Sequence, residues 1–205
     1  YERLLALSRR NPRRVVRCVR ALWEQQRGAA AAASAWAAYS FGVVLVRAEQ
    51  LSEALPVLQA AEDQLKAAGL ELTALHARRA RLSAMLVLGD DDTLEGQWEQ
   101  LADRYERLGS YIEAARARFD QVAYRNKTGR APEALGLIEQ LEPLVMSQGT
   151  TEDHARILRL RAVACRMTGR LDQAQVAVDQ SLALYRALHD APAVAKTLFE
   201  RSIIH

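Results

Sequence analysis

Residues 168–174 read Thr168-Gly169-Arg170-Leu171-Asp172-Gln173-Ala174, and residues 128–134 read Thr128-Gly129-Arg130-Ala131-Pro132-Glu133-Ala134. In both, a glycine is followed five residues later by an alanine that opens a new amphipathic stretch. Further toward the N-terminus, Ala48-Glu49-Gln50-Leu51-Ser52-Glu53-Ala54 keeps the alanine without the glycine. Around Leu88-Gly89 to Leu94-Glu95-Gly96 the same turn reads as two residues longer, with Gly96 in the alanine's place. The markers at 54, 96, 134 and 174 then lie 42, 38 and 40 residues apart. Self-similarity at a spacing of this size marks stacked supersecondary units, each burying the face of its neighbour.

The segments between the markers are helical in pattern. Leu55, Leu58, Ala61, Leu65 and Ala68 recur every three or four residues, as do Leu158, Ala162 and Cys165, then Val178, Leu182 and Tyr185. This spacing predicts helices near 2–10, 12–27, 31–48, 52–68, 71–88, 93–108, 111–128, 132–148, 152–168, 171–188 and 192–204. Short loops make successive helices antiparallel neighbours. Second helices end at Gly69, Gly109 and Gly149, where glycine can close a helix in the left-handed conformation. Pro12, Pro132 and Pro192 fall in first turns that tolerate proline. Pro143 falls inside a helix and predicts a kink.

Composition agrees with an all-α class. Of 205 residues, only ten are glycine and five proline, and half are hydrophobic. With 28 basic and 25 acidic residues the net charge is +3, a weak field for nucleic-acid attraction. Cys18 and Cys165 have no metal or redox spacing and read as reduced thiols, which points to a cytoplasmic protein. His76, His154, His189 and His205 are isolated, so no helix-borne metal site is formed. Asp90, Asp91 and Asp92 lack the alternation of a calcium loop and read as a helix N-terminus capped by Asp92 or Thr93. No nucleophile, base and acid stand together. An enzyme, a cofactor and a membrane span are all unexpected. The chain opens on Tyr1 and closes in helical pattern at His205, and so reads as a segment of a longer protein.

The markers resemble the tetratricopeptide repeat: a small residue in the first helix, a turn glycine and an alanine opening the second helix. The positions are Gly42, Glu49 and Ala54, then Ala84, Gly89 and Gly96, then Val122, Gly129 and Ala134, then Ala162, Gly169 and Ala174. Glu49 and Val122 depart from the pattern. The period, about 40 residues against roughly 34 in the common form, is similar to the variant in large bacterial regulatory proteins, as is the string from Leu182 to Asp190. The resemblance implies an α-solenoid with a right-handed superhelical course. Residues 1–30 would form a helix pair or capping half-repeat. Pairs near 31–69, 70–109, 110–149 and 150–190 follow, then the first helix of a fifth.

In that family the first helices line a concave groove. The resemblance therefore places Trp36, Tyr39 and Arg47, then Arg78, Arg81 and Met85, then Arg116, Phe119, Asn126 and Lys127, then Arg156, Arg159, Arg166 and Met167 on the inner surface. Such a basic strip with aromatic and thioether interruptions suits an acidic protein or peptide partner. The same arginines could equally pair with acids on adjoining helices. Val43 and Ala123 stand where the family's carboxylate-clamping members carry asparagine, so a clamped C-terminus is not expected. The resemblance further implies a scaffold or sensor role, with the partner a separate protein or an output domain of the same chain, such as a CHAT-type peptidase. A helical-repeat RNA binder is the alternative reading.

Overall fold

The computed structural model describes residues 2–26, 31–89 and 93–204. The described residues form eleven α-helices and no strand: α1 (Glu2–Arg10), α2 (Pro12–Gln26), α3 (Ala31–Arg47), α4 (Leu51–Ala67), α5 (Glu71–Leu88), α6 (Leu94–Arg107), α7 (Tyr111–Lys127), α8 (Ala131–Gln148), α9 (Thr151–Met167), α10 (Leu171–Ala187) and α11 (Ala191–Ser202). The chain divides into two compact units, Tyr1–Gln97 and Trp98–His205. In the first, α1 to α5 pack in succession, each of α1 to α4 against the helix that follows it. In the second, α7 to α11 do the same. This is the helix-on-helix stacking of an α-solenoid. Residues 27–30 of the alanine-rich stretch, Asp90 to Asp92, Tyr1 and His205 lie outside the described residues.

The turns set the pitch. Glu49, Gly69, Gly89, Gly109, Gly129, Gly169 and His189 all have positive φ, and all fall on a ladder of 20 residues. At six of the turns the amide of the following residue bonds back to a carbonyl five residues earlier. These bonds run from Gln50 to Leu45, Leu70 to Leu65, Ser110 to Tyr105, Arg130 to Arg125, Arg170 to Cys165 and Asp190 to Tyr185, at 2.8–3.1 Å. Such closures satisfy carbonyls that the helix end would otherwise strand. Glu49 and His189 hold the left-handed conformation despite their side chains, at φ 62° and 52°.

Gly149 breaks the expected rule. Its φ of −73° and ψ of 156° are extended, not left-handed. Glycine is needed there for space, because a Cβ would lie 2.4 Å from the Val145 carbonyl oxygen. The next helix starts instead with a capping box. The Thr150 hydroxyl accepts from the Asp153 amide at 3.3 Å, and the Asp153 carboxylate accepts from the Thr150 amide at 2.9 Å.

The register is more regular than the sequence markers suggest. Leu58, Trp98, Ile138 and Val178 are fully buried and spaced by 40 residues. The buried Ala54, Leu94, Ala134 and Ala174 share that spacing. Leu94, not Gly96, therefore holds the marker position, and Gly96 is exposed. Helices α4, α8 and α10 begin three residues before their markers, whereas α6 begins on its own. In the same register Leu82, not Ala84, is the counterpart of Gly42, Val122 and Ala162. α8 continues across Pro143 without ending.

In the first unit the core joins Val15, Val16 and Val19 of α2 to Phe41, Leu45 and Leu58, with Trp23 stacked on Phe41 at 4.9 Å. A second cluster centres on Ala35, Ala38, Leu65 and Ala77. In the second unit Phe119, Val122, Ile138, Leu141, Ile157, Leu160, Cys165 and Val178 form one continuous core.

Candidate protein-binding faces

Within each unit the first helices of successive pairs touch: α3 packs on α5, α7 on α9, and α9 on α11. Between the second helices α8 and α10 an open cleft of about 440 Å³ remains, floored by Leu158, Arg161 and Cys165 of α9. First helices drawn together and second helices held apart put the first helices on the inner side of the second unit.

In the first unit the candidate residues divide. Trp36 is partly exposed at 37% and meets Tyr39 edge-on at 5.8 Å. Arg47 is drawn inward: its Nη1 donates to the Leu5 carbonyl at 2.6 Å and to the Ser8 hydroxyl at 2.5 Å, fastening α1 onto α3. Arg81 Nη2 lies 3.1 Å from the carboxylate of Glu62, and Nη1 donates to Met85 Sδ at 3.8 Å. Glu62 is itself buried and also takes Lys66 at 2.6 Å. Arg78 differs. It is half-buried, its Nε has no hydrogen-bond partner, and no carboxylate pairs with it among the described residues.

In the second unit most of the cationic strip is internally neutralised. Arg116 forks onto Asp153, with Nε to Oδ1 at 2.8 Å and Nη2 to Oδ2 at 2.7 Å, and it also pairs with Glu113. Arg156 pairs with Asp120. These two pairs cross between the same helices, α7 and α9. Both acids are buried, and buried charge is tolerated where it is paired and hydrogen-bonded. Hydrogen bonding to Asp153 raises the Arg116 pKa more than burial lowers it. Burial pushes the Asp153 carboxyl up, but the Arg116 fork, the Thr150 amide and hydroxyl, and the Arg116 charge together hold it at about 2. For Arg156, burial favours the neutral form, yet the Asp120 charge leaves the guanidinium pKa raised.

Two expected groove residues belong to the core. Phe119 is fully buried, with the Arg156 guanidinium 5.5 Å from its ring centre. Asn126 is 5% exposed and its Nδ2 donates to the Leu160 carbonyl at 3.1 Å, tying α7 to α9. One helical residue turns the chain by about 100°, so a face assigned from a strip of mixed residues readily slips by one position. Lys127 and Met167 are exposed at the ends of α7 and α9. Arg159 bonds to Tyr185, whose pKa burial raises and the Arg159 and Arg156 charges partly restore. Arg166 resembles Arg78: its Nε lacks a partner, and no carboxylate pairs with it among the described residues.

Sequence reasoning missed the acids that hold this framework, Glu62, Asp120 and Asp153. Each stands among buried apolar neighbours, such as Ala61 and Leu65 around Glu62, and an acid on the apolar stripe was the available signal. Cys165 lines the outer cleft and is buried, so its thiol pKa is raised, with Arg161 and Arg170 partly opposing that. Arg161 is held by Glu142 at 2.8 Å. No described helix is long and apolar enough to cross a membrane. No protein-family model matches this chain, and no curated protein matches it.

Proposed function

We propose that the chain is a protein-interaction scaffold of the tetratricopeptide type, binding an acidic protein segment through its first helices. The partner is either a separate protein or another domain of the same polypeptide, which the stack would recruit or restrain. The observation that carries this reading is that Arg78 and Arg166 have no carboxylate partner among the described residues, whereas Arg81, Arg116 and Arg156 each have one. Arg166 shares α9 with the exposed Met167, and a guanidinium without a carboxylate beside an apolar side chain favours a carboxylate-bearing peptide with apolar side chains.

The test is fluorescence anisotropy with a labelled peptide of alternating glutamate and leucine pairs. Binding that falls at least about tenfold in Arg78→Glu or Arg166→Glu supports the reading. A neutral peptide that binds equally well would remove it. Preferential binding of a single-stranded RNA with steep salt dependence would replace it with the nucleic-acid alternative.

A further inference from the structure

We propose that the outward face of α2 binds the phosphate backbone of a nucleic-acid duplex, independently of the first-helix strip. The small net charge of the chain conceals a segregation. Seven of its 28 basic residues but only one of its 25 acidic residues fall within residues 1–20, which leaves 21 basic against 24 acidic in the rest. On α2, Val15, Val16 and Val19 are buried in the core of the first unit. Arg13, Arg14, Arg17, Cys18 and Ala21 are exposed and share one helical stripe at spacings of three and four. No carboxylate pairs with Arg13, Arg14 or Arg17 among the described residues. Arg20 is the contrast. It turns inward, with Nη2 2.8 Å from Glu53 and its guanidinium 5.2 Å from the Phe41 ring centre.

The exposure of this face is a property of its place in the repeat. Val15 and Val19 stand 39 residues before Ala54 and Leu58 and are buried as they are. Arg13 and Arg17 thus take the places of Ser52 and Pro56 in α4, of Pro132 and Gly136 in α8, and of Asp172 and Val176 in α10. Ser52, Pro56, Pro132, Asp172 and Val176 are all exposed, and a Cβ on Gly136 would meet nothing within 4 Å. α8 and α10 each pack between a preceding and a following helix, so these positions stay open inside the stack as well. What is particular to α2 is the charge: Glu53 and Glu133 stand where α2 carries Arg14.

The chemistry of the stripe selects the partner. It holds no aromatic and no large aliphatic side chain, so a protein would find no apolar anchor there. Single strands are held by stacking on aromatic rings, which the stripe also lacks. A membrane would take up the apolar face of a basic helix, but that face of α2 is already in the core. A phosphate backbone needs only cations, and guanidinium forks suit its oxygens. Arg13 and Arg17 lie about 6 Å apart along the helix axis, and a duplex carries a charge every ~1.7 Å of its own axis. All three guanidiniums therefore meet phosphates of one short stretch, without reading its sequence.

The test is fluorescence anisotropy of the whole chain with labelled DNA and RNA duplexes of unrelated sequence, titrated at several salt concentrations. Saturable binding to each is expected. Three phosphate contacts weaken it about fortyfold between about 50 and 200 mM salt. In Arg13→Gln, Arg14→Gln or Arg17→Gln one contact is lost, and the same salt step should weaken binding only about twelvefold. The triple variant should lose at least about tenfold in affinity at the lower salt. An unchanged urea midpoint shows that these exposed changes leave the fold intact. Arg78→Glu should not alter duplex binding, and the triple variant should still bind the glutamate–leucine peptide, so the two sites fail independently. No binding at the lower salt, or a salt dependence that the triple variant retains, would overturn the proposal. Tighter binding to phosphatidylserine vesicles than to either duplex would also overturn it and give the face to a membrane surface. Loss of the glutamate–leucine peptide in the triple variant would overturn it in favour of an acidic protein.

Discussion

The contact between α3 and α4 gives the sharpest test of the packing. A Cβ placed on Gly42 would lie 2.5 Å from Leu58 Cδ2 and 2.6 Å from Leu58 Cγ. Ordinary carbon–carbon contact is about 3.5–4.0 Å, so Gly42→Ala forces an overlap of roughly 1 Å on a side chain that is fully buried. Overpacking of this kind costs about 1–3 kcal/mol. Alanine in a helix interior returns about 1 kcal/mol relative to glycine. The expected net is a loss of about 1 kcal/mol. Leu58→Ala alone removes the obstacle and creates a cavity, at about 2–5 kcal/mol. In that background Gly42→Ala should turn stabilising by about 0.5–1 kcal/mol, since only propensity remains. Urea unfolding followed by far-UV circular dichroism reads all four states. Tryptophan fluorescence adds a local signal, because Trp23 stacks on Phe41 beside the contact. If Gly42→Ala stabilises the native background, or the two changes prove additive, the close approach does not exist.

Four further outcomes are expected. Glu49→Gly should stabilise by about 0.5–1 kcal/mol, because Glu49 is exposed and left-handed, while Gly129→Ala, at φ 80°, should destabilise by about 1–2 kcal/mol; thermal melts compare them. The Asp153 carboxyl, ordinarily near 3.8, titrates near 2 in the fold. Its contribution is therefore fully present above about pH 4 and lost as pH falls toward 2, so the deficit of Asp153→Asn, about 1 kcal/mol after solvent screening, should shrink across that window. Arg156→Ala should cost about 2 kcal/mol by leaving Asp120 buried and unpaired, and Arg156→Met with Asp120→Leu should recover most of it, as read by denaturant midpoints. Brief alkylation followed by peptide mass spectrometry should modify the exposed Cys18 and spare Cys165, which is buried with a raised pKa.

Helix positions were legible because apolar period and turn residues act locally. The predicted spans 2–10 and 71–88 are α1 and α5 to the residue, and the others differ by one or two residues at one or both ends. The errors arose where a local signal imitated a distant one. Gly96 looked like a small packing residue, yet Leu94 fills that place, because burial is decided by the neighbouring helix and not by the size of the side chain. Gly149 looked like a left-handed terminator, and it is required instead for clearance from Val145. Phe119 was read as a groove aromatic, and it anchors the core of the second unit. The buried acids that pair with Arg116 and Arg156, Asp153 and Asp120, sit 37 and 36 residues away in sequence. No local pattern reveals such pairs before the register is known.

Once the 40-residue register is known, those pairs become readable. Arg116 with Asp153 and Arg156 with Asp120 join adjacent first helices at separations of 37 and 36. Arg81 with Glu62 and Arg161 with Glu142 join a first helix to the preceding second helix, both at a separation of 19. The rule can be applied to the remaining first-helix arginines. Nineteen residues before Arg78, Arg159 and Arg166 stand Gln59, Gln140 and Ser147, none able to neutralise a guanidinium. At 36 and 37 residues to either side stand only uncharged residues, Arg130 and Lys196. The molecule thus uses some arginines to fix the stagger of its helices, while Arg78 and Arg166 have no carboxylate partner among the described residues. Pairing that follows the repeat is a property of the framework. Charge that the repeat leaves unpaired, held on the same helices, is what an acidic partner would meet.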